Sequence, residues 1–132
     1  MSNSFESRLR EVAARDGRYA VGAYKFVYEG LDYTLKRIGC KRHITGQELA
    51  CGLRDLALEH FGGMASMVFS IWGLQKTADF GNMVYNLIGA ELMSRADTDS
   101  REDFNDVYDF RKTFRLDAAA PAARPSDGPE IV

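Results

Sequence analysis

Two cysteines, three prolines and one tryptophan in 132 residues leave little room for several common architectures. Cys40 and Cys51 are too few for the disulfide framework of a small secreted domain, and without a secretory context both are expected as reduced, structural thiols. No apolar run approaches the ~20 residues that a membrane span needs. The N-terminus, Met1-Ser2-Asn3-Ser4-Phe5-Glu6-Ser7-Arg8, lacks the basic start and apolar stretch of a secretory signal, so a cytoplasmic location is expected. Also missing are a Gly-rich phosphate loop after a strand, a Ser elbow and a His-Glu zinc helix; the chain reads as not an enzyme, with no cofactor. An excess of one charge sign is lacking too, with 17 Lys or Arg against 19 Asp or Glu. Residues 1–63 hold ten cations and eight acids and residues 64–132 seven and eleven, so the halves carry +2 and −4. Neither half has the basic surplus that binding through several phosphates requires.

What the chain does have is an ordinary apolar content of 45%, enough for one domain that buries on the order of 14,000 Å² on folding. Phe5, Leu9, Val12 and Ala13 follow Ser4, a plausible N-cap, and stop at Asp16-Gly17, which predicts a first helix. From Val21 to Ile38 the apolar residues Tyr24, Val27, Tyr28, Leu31, Leu35 and Ile38 recur at spacings of three and four, predicting a long second helix. Thr45 and Glu48 in Ile44-Thr45-Gly46-Gln47-Glu48-Leu49 form a capping box, with Ile44 and Leu49 as a hydrophobic staple; this third helix runs to Gly62-Gly63. Met64 to Trp72 is apolar on most sides and is expected to sit centrally in the core. A fifth helix follows Thr77 as its cap, with Phe80, Met83, Val84, Leu87 and Ile88 on one face.

The two apolar helices around Gly73 have the outline of a helix-turn-helix. Leu92-Met93-Ser94 then reads as a short strand, Arg95 to Asp103 as a polar loop, and Asp106 to Phe110 as a returning strand. The expected fold is therefore mostly α with some β: a helical N-terminal half followed by a winged-helix-like half with a β-hairpin wing, together spanning residues 1–116. Residues 117–132, rich in Ala and Pro without periodicity, read as a disordered tail.

Several residue sets imitate functional sites. Cys40, His43, Cys51 and His60 offer zinc-ligand types, yet Cys51 and His60 lie nine residues apart on one helix and so on opposite faces, which excludes convergence on one ion. Asp97-Thr98-Asp99 opens like a calcium loop, but Arg101, Glu102 and Tyr108 occupy positions that need an oxygen ligand, a glycine and a bidentate acid. Lys36, Arg37, Lys41, Arg42 and His43 form the one concentrated basic patch, a candidate phosphate site that also suits the dipole at a helix C-terminus. On the fifth helix Thr77, Asp79, Asn82 and Asn86 stand where a DNA reader would present base contacts, beside an acidic wing that would repel duplex phosphates.

Four segments occur in order: Ala23-Tyr24-Lys25-Phe26-Val27-Tyr28-Glu29-Gly30-Leu31-Asp32-Tyr33-Thr34; His43-Ile44-Thr45-Gly46-Gln47-Glu48-Leu49; Asp79-Phe80-Gly81; and Ser100-Arg101-Glu102-Asp103-Phe104-Asn105-Asp106-Val107-Tyr108-Asp109-Phe110. Together they resemble a small-protein family of unknown function largely restricted to planctomycetes and verrucomicrobia. The resemblance covers residues 5–114, implies a bacterial cytoplasmic origin and transfers no catalytic residue.

These readings converge on a non-enzymatic protein-interaction module docking through its winged-helix-like half. Asp106, Tyr108, Asp109 and Phe110 are the candidate contacts, and the partner is another protein or a second copy. The alternative is a nucleic-acid-associated factor, on RNA or a ribonucleoprotein, using Lys36, Arg37, Lys41, Arg42 and His43. A pocket of Tyr24, Tyr28, Tyr33, His43 and His60 would be needed for an enzyme, and core packing accounts for the same residues.

Overall fold

A computed structural model describes residues 4–39, 44–94 and 101–115. Among the described residues the α-helices in order are α1 (Ser4–Asp16), α2 (Val21–Ile38), α3 (Gly46–Phe61), α4 (Ala65–Trp72), α5 (Thr77–Gly89) and α6 (Phe110–Thr113). Short 3₁₀ turns occupy Gly62–Met64 and Arg101–Phe104. No strand occurs among the described residues, and no helix among them is long and apolar enough to cross a membrane.

The α3 start forms as its sequence dictates. The Thr45 hydroxyl accepts from the Glu48 N–H at 3.0 Å and the Glu48 carboxylate accepts from the Thr45 N–H at 2.9 Å, while Ile44 and Leu49 are fully buried. At α5 Thr77 is the first helical residue rather than the cap, Lys76 takes the N-cap position, and Asp79, the third helical residue, reaches back to it. The Asp79 carboxylate accepts from the Gln75 N–H at 2.8 Å, the Lys76 N–H at 3.2 Å and the Tyr19 hydroxyl at 2.6 Å. Thr77, released from capping, donates to the Phe104 carbonyl at 2.6 Å and accepts from the Val107 N–H at 3.1 Å.

Helix α3 crosses α2 at unusually close range, because each contributes a glycine to the contact. A Cβ on Gly30 would collide with the Leu53 side chain, and one on Gly52 would overlap the Thr34 hydroxyl. The same crossing is fastened by the buried Asp55 carboxylate, which accepts from Arg37 of α2 at 2.7 Å and from its neighbour Arg54 at 2.8 Å. Below the crossing, Phe69 of α4 is the hub of an aromatic cluster, with ring centroids 5.8 Å from Phe26, 6.1 Å from Trp72, 5.9 Å from Phe80, 5.5 Å from Phe110 and 5.0 Å from Phe114. Trp72 is half-buried in this cluster, 5.5 Å from Phe26 and 6.0 Å from Phe61.

Two expectations are corrected. The β-hairpin wing does not form: Leu92–Ser94 is a turn after α5, and residues 105–109 are turns leading into α6. The segment folds back as its aromatic side chains join the Phe69 cluster and the Phe104 carbonyl and Val107 N–H bond to Thr77. The intervening residues 95–100 lie outside the described residues, as does the expected tail at 117–132. Second, α4 buries only Ala65 and Phe69, so it lies at the edge of the core rather than at its centre. Val68 and Trp72 are half-buried against the core, while Met67 and Ile71 face outward.

Candidate functional site

The expected protein contacts separate into two kinds. Tyr108 and Phe110 turn inward: the Tyr108 hydroxyl donates to the Ala50 carbonyl at 2.6 Å, its ring stacks on Phe110 at 6.0 Å, and the Arg54 guanidinium lies 5.7 Å from its centroid. Burial pushes the Tyr108 phenol well above the usual tyrosine range. Asp106 and Asp109 stay exposed, Asp106 with a left-handed backbone (φ 52°) and Asp109 capping α6 through the Lys112 N–H at 3.1 Å.

The described part of the basic patch is internally paired. Lys36 meets Asp32 at 3.0 Å on the surface of α2, and Arg37 reaches Asp55 while lying 5.2 Å over the Tyr33 ring. Lys41, Arg42 and His43, like Cys40, lie outside the described residues. Arg37 and Arg54 border a cleft of about 280 Å³ between α2 and α3, whose other walls include Thr34, Glu48 and Cys51. Burial acts to raise the Asp55 pKa, and the hydrogen bonds from Arg54 and Arg37 outweigh it, so Asp55 titrates below the usual carboxylate range. Both guanidiniums are thus committed to a carboxylate of the same molecule, and an incoming anion would have to compete with Asp55. Among the described residues no three metal-ligating side chains come together.

The aromatic residues considered for an enzyme pocket are dispersed. Tyr24 is buried and accepts from Asn86 at 3.1 Å, Tyr28 donates to the Leu92 carbonyl, Tyr33 lies under Arg37, and His60 faces Phe61 at 6.1 Å.

A different surface stands out. Met64, Met67 and Ile71 are 48%, 50% and 72% exposed, three and seven residues apart along one side of α4 and the turn before it. Beside them runs a groove of about 480 Å³ walled by Ser66, Met67, Ser70 and Ile71 on α4 and by Arg111, Phe114 and Arg115 on the other bank. It adjoins a smaller hollow of about 180 Å³ that reaches down to Phe69, Leu74 and Phe110. The rim at Arg111, Lys112 and Arg115 is exposed. Sequence reasoning overlooked this face by assigning all of α4 to the core; the signal was present in the helix's shortness and its complete lack of charge. A short, mostly apolar helix without charge either lies buried between layers or leaves one apolar side uncovered.

No protein-family model, curated protein or solved structure matches the chain.

Proposed function

We propose that this chain is a non-enzymatic protein-interaction module, docking through the face formed by α4 and the segment from Phe110 to Arg115. One observation carries the proposal: Met64, Met67 and Ile71 are about half or more exposed beside a largely apolar groove, on a helix without a charged residue and the turn before it. Single exposed apolar side chains are common on monomers, whereas a contiguous set beside a concavity marks interaction surfaces. The inward placement of Phe110 supports a scaffolding role for its ring, since it lines the hollow beside the groove and packs on Phe69 and Phe114.

The test uses affinity capture from cells of the source organism, treated with nuclease, comparing the parent chain with Ile71→Asp and with Tyr85→Ala, a change at an exposed aromatic on α5. A stoichiometric protein retained by the parent and by Tyr85→Ala but lost with Ile71→Asp is the expected result. Equal retention by all three refutes docking on α4, and retention abolished by nuclease alone favours the nucleic-acid alternative.

A further inference from the structure

The same face has a charge as well as a shape. We infer that its occupant is an acidic amphipathic helix of another protein, an inference that rests on the interaction-module proposal and specifies its partner. Neither residues 62–75 nor residues 110–115 contain Asp or Glu, yet the second stretch supplies Arg111, Lys112 and Arg115 in a chain of net charge −2. Elsewhere Arg10, Arg18, Lys25, Lys36, Arg37 and Arg54 each meet a carboxylate at 2.7 to 3.0 Å. Among the described residues no carboxylate forms an ion pair with the Arg111 or Lys112 side chain, and the adjacent Asp109 carboxylate is engaged with the Lys112 backbone N–H. With Asp109 counted against Arg111, Lys112 and Arg115, residues 109–115 still carry a net charge of +2 beside an uncharged α4, and a ligand with acids along its edge would complement this rim and be steered toward it.

The shape selects among acidic ligands. Positions three and seven apart on a helix span about 10 Å along its axis, the footprint of two turns of a partner helix. Methionine side chains adapt to irregular apolar ridges, and an amphipathic helix laid in a groove offers such a ridge through its i, i+3, i+4 and i+7 residues. An anionic bilayer would satisfy the cations but, being flat on this scale, would leave the concavity between α4 and Phe114 unfilled. The groove thus favours a helix over a lipid surface.

The experiment pans a displayed library of helical peptides with randomised positions against the full chain, then measures the enriched peptides by fluorescence anisotropy. Expected is an apolar stripe flanked by Asp or Glu, with affinity lowered at least tenfold by the Arg111→Glu, Lys112→Glu pair and also by Ile71→Asp. Both variants alter exposed positions, and unchanged circular dichroism melts will confirm that they fold. Enrichment that depends on Ile71 but shows no acidic bias overturns the acidic partner and leaves the docking face standing. No Ile71-dependent enrichment overturns both. Tighter binding to phosphatidylglycerol vesicles than to any peptide, or a dimer undone by Ile71→Asp in light scattering, overturns the foreign helix in favour of a membrane or a second copy.

Discussion

Replacing Gly52 by alanine tests the packing of α2 on α3 through the sign of the stability change. In an exposed helix interior this exchange gains about 1 kcal/mol, because glycine is the poorer helix former. Here the new methyl would overlap the Thr34 hydroxyl and lie 3.1 Å from the Thr34 Cβ. Thr34 can rotate away only by giving up its hydrogen bond to the Gly30 carbonyl at 2.7 Å, a loss of about 1 kcal/mol. Any remaining overlap must be relieved by separating the helices, and overpacking of this kind costs about 1–3 kcal/mol. The balance is a destabilisation of about 2 kcal/mol, which for a domain of this size lowers Tm by about 8 °C. Thermal and urea unfolding followed by circular dichroism measure it. Gly89→Ala is the control: nothing lies within 4 Å of its added Cβ, so a small rise in Tm is expected. Adding Thr34→Ala to Gly52→Ala removes the overlapping hydroxyl and should recover most of the loss. A Gly52→Ala protein as stable as its parent would refute the close crossing.

Further expectations concern the polar fastenings. Asp55 titrates below its ordinary value, so its contribution is complete above the unfolded-state pKa of about 4 and is lost as pH falls through the lower folded-state value. Asp16, held low chiefly by its hydrogen bond from Arg18, adds to the same acid-side loss. Urea midpoints should therefore change little between pH 7 and pH 5 and then fall, with a shallower fall in Asp55→Asn, which is itself weaker at pH 7 by about 1–3 kcal/mol. Tyr108→Phe should lose about 1 kcal/mol through its bond to Ala50, whereas Tyr108→Ala should lose about 3–5 kcal/mol; a small effect of the latter would show that the ring is not part of the core. Thr45→Ala removes the α3 cap and should cost about 1 kcal/mol in the same unfolding assay.

The helices were legible where their signals are local. The periodicity of Tyr24, Val27, Leu31 and Leu35 is contained within α2, and the Thr45–Glu48 box needs only three residues of separation to form. Features settled by distant partners were not legible. Alternation from Val107 to Phe110 imitates a strand, but its rings find Phe69, Phe80 and Phe114 instead of a second strand. The shortness of α4 and its lack of charge hint at an uncovered side, but which side that is depends on which neighbours reach it. Arg37 and Asp55 lie 18 residues apart, so a patch that reads as free cations is partly neutralised by the fold. Of the proposed docking face, composition announced the apolarity of α4 and the cations at 111, 112 and 115, while their adjacency emerged only in three dimensions.

The aromatic cluster around Phe69 has an optical consequence. Trp72 is the sole tryptophan, and it follows Ile71 directly while sharing its cluster with Phe26, Phe61 and Phe69. Excitation at the red edge of the protein spectrum therefore addresses one indole, placed where the outer side of α4 meets its inner packing. Its emission reports the collapse of the cluster during folding, and quencher access to the same indole reports whether the neighbouring face is covered, without any label attached.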